Sequence, residues 1–185
     1  MATPGSTTDP ASIMATILAR PATCGSSRLI AIDGPAGAGK TELTRALVSL
    51  PALPDVSILA LEDVYAGWDA LARIEDSVEP LLRALASGQP AQFAEYDWAN
   101  CRSGEIRRVC PAPVIILEGV GAGCLRWADL VTTLVWVTHA NALSRAITRD
   151  GEDHRGHLET WHRDEVSLFE REKPWLRADV VVDSA

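Results

Sequence analysis

Leu29-Ile30-Ala31-Ile32-Asp33-Gly34-Pro35-Ala36-Gly37-Ala38-Gly39-Lys40-Thr41 decides how the rest of the chain is read. Gly34, Gly39, Lys40 and Thr41 fit the pattern G-x-x-x-x-G-K-[ST], in which a glycine-rich loop cradles phosphate. The context agrees with the letters, since an apolar β-type run precedes the glycines and a helical pattern follows them. Glycines let the backbone turn tightly enough for successive N–H groups to point inward, and the positive end of the following helix adds attraction for an anion. On this reading Gly34, Pro35, Ala36, Gly37, Ala38, Gly39, Lys40, Thr41 and Glu42 bind a nucleoside triphosphate. Lys40 reaches the β- and γ-phosphates, and the Thr41 hydroxyl ligates Mg²⁺. A dinucleotide-binding loop would need G-x-G-x-x-G after the first strand, and Gly34, Gly37 and Gly39 do not give that spacing.

On either side of this loop the chain alternates between short apolar runs and helical patterns. Arg28–Asp33, Val56–Leu61, Val114–Leu117, Leu130–Val137 and Ala178–Val182 read as five strands, apolar enough to be buried on both faces of a parallel sheet. Helical spacing is expected over Ser12–Arg20, Lys40–Leu50, Ala66–Ala86 with a break near Pro80, Asn141–Arg149 and Leu158–Glu172. Met1 to Asp9 reads as a loose tail, Ala91–Pro113 as strand and loop segments beside the site, and Asp150–Gly156 as a mobile polar loop. Strands separated by helices imply an α/β doubly wound domain, a five-stranded parallel sheet with helices on both faces. Ligands then bind at the carboxyl ends of the strands.

Composition narrows the class of partner. With 185 residues, 47% of them hydrophobic, one domain with a substantial core is expected. A net charge of −8 argues against a general affinity for nucleic acid or anionic membrane, which leaves small molecules as the expected partners and a homo-oligomer open. No run approaches the ~18 apolar residues that span a bilayer. Cys24, Cys101, Cys110 and Cys124 share no C-x-x-C spacing and no apolar signal segment precedes them, so reduced thiols in a soluble cytoplasmic protein are expected.

Phosphoryl transfer needs a metal-bound triphosphate, charge stabilisation around the moving group and a positioned acceptor. Glu118 ends the third strand, next to the first in such a sheet, and can face Thr41 to hold Mg²⁺. Glu62 and Asp63 follow the second strand; one can take the acceptor's proton while the other holds the acceptor or the metal shell. Arg145 and Arg149 share a helix face, and with Arg155 and Arg163 they surround the polar loop, where they either engage phosphates or pair with Asp150, Glu152, Asp153 and Glu159. His154, His157 and His162 lack an H-E-x-x-H frame and are expected as solvated loop residues. Trp68, Trp127, Trp136, Trp161 and Trp175 read mostly as core or rim, and Tyr96 and Trp98 as candidates for stacking on a planar acceptor.

These patches together resemble the uridine kinase-like branch of the P-loop nucleoside and nucleotide kinases, over Leu29 to Asp183. Besides the loop, Leu61-Glu62-Asp63-Val64-Tyr65 is similar to the family's Asp-Asp-Phe-Tyr patch. Tyr96-Asp97-Trp98 with Arg102, followed by Pro111 to Gly119, is similar to its Tyr-Asp-Phe to Glu-Gly segment. Arg149-Asp150 and Arg155-Gly156 resemble its lid. The resemblance implies a three-layer P-loop NTPase fold, with residues 1–27 as a tail and short helix, residues 28–185 as the kinase domain, and a small lid around 145–163. It implies ATP and Mg²⁺, with Thr41, Glu62 and Glu118 at the metal and Lys40, Glu62, Asp63 and Arg149 in catalysis. Arg145, Arg149 and Arg155 then join the loop in holding the nucleotide. Asp63, Tyr65, Asp69, Tyr96, Trp98 and Arg102 bind the acceptor. Aligned on Tyr65, Glu62 stands where the family has its general base and Asp63 takes the next acidic place, so either can be the base.

The activity expected is ATP-dependent phosphorylation of a hydroxyl on a nucleoside or similar metabolite. A kinase of a sugar or vitamin-precursor alcohol is the second expectation. A nucleotide-binding switch is the third, although the chain lacks the Asn-Lys-x-Asp segment of guanine-specific switches.

Overall fold

A computed structural model describes residues 5–6, 9–51 and 53–184. In chain order the elements are β1 (Gly5–Ser6), α1 (Pro10–Leu18), β2 (Arg28–Asp33), α2 (Lys40–Val48), β3 (Val56–Ala60), α3 (Leu61–Val64) and α4 (Ile74–Ala86). There follow β4 (Ala91–Asp97), β5 (Arg102–Val109), β6 (Val114–Glu118), β7 (Val131–Thr138), α5 (Ala142–Asp150), α6 (Arg155–Glu172) and β8 (Val180–Asp183). The main sheet has the order β1-β8-β7-β2-β6-β3 and every pairing in it is parallel. The five expected strands are β2, β3, β6, β7 and β8. Of the tail expected over Met1 to Asp9, only Gly5–Ser6 and Asp9 are described; the first adds a two-residue strand beside β8 and the rest lies outside the described residues.

Alternation along the central strands builds the three layers. Leu29 and Ala31 of β2, Ile115 and Leu117 of β6, and Leu134 and Trp136 of β7 pack on one face with Ile74, Val78, Leu82 and Leu85 of α4 and Leu168 and Phe169 of α6. Ile30, Ile32, Val114, Ile116, Val135 and Val137 point to the other face, onto Ile13 and Ile17 of α1 and Leu43 and Leu47 of α2. Because side chains of successive strand residues point to opposite faces, a strand apolar at every position is covered on both sides. Each such Leu or Ile contributes about 1.5–3 kcal/mol through burial. Among the described residues no helix is long and apolar enough to cross a membrane.

Two boundaries differ from the sequence expectation. The helix expected to break at Pro80 runs through it unbroken, and the break lies earlier, where a 3₁₀ turn over Ala70–Arg73 meets α4. Pro80 is on the solvent side, so the Asp76 carbonyl freed by the missing N–H faces water, and the buried stripe Ile74-Val78-Leu81-Leu82-Leu85 holds the helix together. The polar loop shrinks to Gly151 and a 3₁₀ turn over Glu152–His154, because α6 begins at Arg155 rather than Leu158. The segment 145–163, expected as a lid, is therefore mainly helical. β4 and β5 form a separate antiparallel hairpin beside α3 and α4, with β5 largely exposed.

One buried side chain brings the strand ends together. Asp33, at the end of β2, is 1% exposed and accepts backbone N–H bonds from Gly34 at 2.7 Å, Gly121 at 2.8 Å and Gly123 at 2.9 Å. It thus ties the segment after β6 to the phosphate loop. Each buried amide left without a partner costs about 1–3 kcal/mol. Asp33→Ala is therefore expected to lower unfolding free energy by about 3 kcal/mol or more in urea denaturation; a loss below about 1 kcal/mol would show that the amides find other partners.

Candidate active site

The loop between β2 and α2 turns where its glycines allow. Gly34 has φ +148° and a Cβ there would strike the Val137 carbonyl, while Gly39, φ +98°, begins α2 from the left-handed region. The amides that follow sit at the positive end of α2. Lys40 is only 7% exposed, and its ammonium donates to the Gly34 and Pro35 carbonyls, each at 2.8 Å. That uses two of its three donors.

Carboxylates from three elements surround this cation. Burial lowers the Lys40 pKa, and the charges of Glu165 on α6, Asp33 on β2 and Glu118 on β6 oppose that effect. In return, burial raises Glu118, against Lys40 and a hydrogen bond from Thr41. Asp33 is pushed up to about 6 by burial, against its three amides and Lys40. Glu165, 1% exposed, is pushed up to about 7 by burial, against the Ala36 amide and Lys40.

Thr41 Oγ1 donates to Glu118 Oε1 at 3.2 Å, so a hydroxyl and a carboxylate converge beside the phosphate loop. Such hard oxygen donors are what Mg²⁺ takes when it bridges a protein and a triphosphate. The donor set fits that ion and the ammonium-lined loop fits phosphate. Both face a cleft of about 470 Å³.

The cleft is also lined by Glu62, Tyr65, Trp68, Trp98 and Trp161. The Tyr65 hydroxyl donates to the Val120 carbonyl at 2.7 Å and its ring meets Trp161 edge-on at 5.0 Å. Trp98 donates its indole N–H to the Glu62 carbonyl at 3.2 Å and meets Trp68 edge-on at 5.1 Å. Trp68 in turn stacks on His157 of α6, rings 5.1 Å apart and nearly parallel. From α5, α6 and the turn between them Arg145, Arg149, His154 and Leu158 reach the cleft, with the Arg149 guanidinium held on both oxygens of Asp150 at 2.6 and 2.7 Å.

The structure brings together in this cleft Lys40, Thr41, Glu42, Glu62, Tyr65, Trp98, Glu118, Arg145 and Arg149, with Ala36, Gly37 and Gly39 of the loop. Other expected residues lie elsewhere. Asp63 faces Arg107 of the hairpin at 3.5 Å, with burial and Glu95 raising its carboxyl against Arg107. The reason is local: α3 is a single turn, and neighbours on a helix point about 100° apart, so Glu62 turns to the cleft and Asp63 away. Arg155 is outside, bound by Glu152 at 2.6 Å and near Glu159 at 3.6 Å. Asp69 is exposed beside Arg73, and Arg102 is exposed beside Asp97 at 3.6 Å. Tyr96 touches Trp98 edge-on behind the wall and does not line the cleft. His154 and His157 are part of the rim rather than free loop residues.

Sequence reasoning missed Glu165 and assigned Trp68 and Trp161 no site role. The signal for Glu165 was present: it falls on the buried stripe Leu158-Trp161-Glu165-Leu168-Phe169 of α6, where a carboxylate is out of place.

No protein-family model matches the chain, and no curated protein matches its sequence. Solved structures do match its shape. A protein from Bacillus stearothermophilus described as a possible uridine kinase superposes with a TM-score of 0.68 at 21% identity, covering 95% of this chain and 97% of that one. A protein from Silicibacter sp. TM1040, provisionally a fructose transport system kinase, superposes with a TM-score of 0.57 at 17% identity, covering 94% and 98%. The chain has the fold of these two proteins.

The raised carboxyl of Glu165 has a consequence for stability. Its pKa of about 7 in the folded chain exceeds the ordinary 4.5, so the folded state binds the proton more tightly than the unfolded one. That stabilisation is complete below pH 4.5 and is lost as pH rises through 7. Relative to Glu165→Gln, a mimic of the protonated form, the native chain is expected to lose on the order of 3 kcal/mol across this window. Denaturation curves at intervals of pH check this; a constant difference between the two proteins contradicts it.

Proposed function

We propose that this protein is a small-molecule kinase that uses ATP and Mg²⁺ to phosphorylate a hydroxyl of a nucleoside or nucleoside-like metabolite. The observation that carries the reading is the sharing of one cleft by two kinds of group. They are a buried ammonium with the Thr41–Glu118 pair, and Glu62 among aromatic rings. A donor phosphate and an acceptor hydroxyl need both kinds. The solved structures of the same fold include proteins described as kinases of a nucleoside and of a sugar transport system, which supports the class.

Each residue then has a task. The loop amides and Lys40 bind the β- and γ-phosphates, and Thr41 with Glu118 would hold Mg²⁺, with Glu62 near its shell. An ion held there would neutralise phosphate charge. Glu62 accepts the proton of the acceptor hydroxyl as its oxygen attacks the γ-phosphorus, and the bond from that phosphorus to ADP breaks. Arg145 and Arg149 offset the charge spread over the transferring group. The aromatic wall packs against the acceptor and keeps water, a competing nucleophile, out of the cleft. A flat heterocycle suits Trp68 and Trp98. The apolar face of a sugar ring suits them too, so a sugar or vitamin-precursor alcohol is the second reading.

ADP release measured against panels of nucleosides, sugars and vitamin precursors separates these readings: stimulation by nucleosides is expected. No stimulation by any class, with slow hydrolysis alone, would favour a nucleotide-binding switch. With the acceptor so found, Glu62→Gln is expected to lower kcat by about 10²- to 10⁴-fold, whereas Asp63→Asn, on the hairpin side, leaves kcat within a factor of a few. The reverse pattern would move the base to Asp63.

A further inference from the structure

Glu165 is a carboxylate with no place in the transfer chemistry above, yet it is 1% exposed in the core-facing stripe of α6. A leucine there would pack without the large desolvation penalty of a buried carboxylate. What the carboxylate does instead is visible at its oxygens. Both receive the Ala36 N–H of the phosphate loop, Oε1 at 3.1 Å and Oε2 at 3.3 Å. The Trp161 side chain, one turn earlier on α6, stands close enough to lower its carboxyl pKa against burial. Lys40 supplies an opposite charge and Asp33 a like one, and His162 stands 3.8 Å away on the solvent side. So one side chain joins the helix that walls the acceptor cleft to the loop that binds phosphate.

We infer that Glu165 is a positioning residue: it pins α6 to the phosphate loop through the Ala36 amide and so holds that loop in its phosphate-receiving shape. The inference rests on the nucleotide-binding reading of the loop for its consequence, though not for the contact itself. Ala36 has only a methyl group, packed against neighbouring apolar side chains, and the turn contains three glycines, Gly34, Gly37 and Gly39, whose freedom leaves many backbone shapes open unless the loop is tied at several points. Lys40 ties the Gly34 and Pro35 carbonyls, Asp33 the Gly34 amide and Ser184 the Ala38 carbonyl, and the Glu165 bond from α6 fixes the Ala36 amide between them.

Three variants test it, each checked for folding by thermal melting. Glu165→Leu keeps most of the volume and loses the bond, Glu165→Ala loses both, and Glu165→Gln keeps an acceptor oxygen. In the nucleotide-free protein, amide hydrogen exchange across residues 34–39 is expected to accelerate about tenfold or more in the Leu and Ala variants while the central strands keep their protection. Affinity for Mg·ATP, by calorimetry, should fall about tenfold in the same two variants, with Glu165→Gln within about threefold of the native protein for both readouts. Unchanged loop exchange in whichever of the Leu and Ala variants folds would overturn the inference. So would acceleration spread over the whole sheet, which marks a merely structural role, or a Gln variant as impaired as Leu. If the native protein binds no Mg·ATP, the proposed function falls, and the exchange measurement still decides whether Glu165 sets the loop.

Discussion

The structure depends on one buried ammonium. Lys40 sits with 7% exposure among Asp33, Glu118 and Glu165, which come from β2, β6 and α6. Removing an ion from water costs several kcal/mol, so neither the cation nor its carboxylates are stable alone at this depth. Only a fold that delivers all of them to the same end of the sheet keeps them there. The parallel order places β6 directly beside β2, and Asp33 then fastens the segment after β6 through the Gly121 and Gly123 amides. The interaction that makes the site is thus also one that orders the strand ends.

A second, softer layer surrounds this charged centre. Trp68, Trp98, Trp161 and Tyr65 meet mostly edge-on, an arrangement that aromatic rings prefer and that leaves faces free to pack. His157 closes the set from α6 by stacking on Trp68. Arg107 of the hairpin is engaged with Asp63 of α3 and with Glu95, and Arg102 with Asp97. The cleft thus presents ring faces and Glu62, with Arg145 and Arg149 along the same lining.

The fold was legible because its signals are backbone signals. Strands apolar at every position could only be buried on both faces, and the glycine spacing before Lys40 fixed where the first one ended. Thr41 and Glu118 were legible as a pair for the same reason: each is set by the end of a strand or the start of a helix. Asp63, Asp69, Tyr96, Arg102 and Arg155 were not, because on a single turn, a hairpin or a helix start a shift of one position changes the direction of a side chain by about 100° on a helix or to the opposite face of a strand. Pro80 misled through propensity alone, since an exposed proline with a well-buried stripe beneath it leaves a helix intact. Glu165 shows the opposite case, a residue readable only by asking why an apolar stripe contains a charge.

The central claim is that Lys40, Thr41 and Glu118 form one site for a metal-bound triphosphate. Calorimetric titration of ATP with and without Mg²⁺, on the native protein and on Glu118→Gln, tests it most directly. The account predicts that Mg²⁺ tightens binding to the native protein and that this increment disappears in Glu118→Gln while the metal-free affinity is kept. A native affinity indifferent to Mg²⁺, or a variant that keeps the full increment, would contradict it.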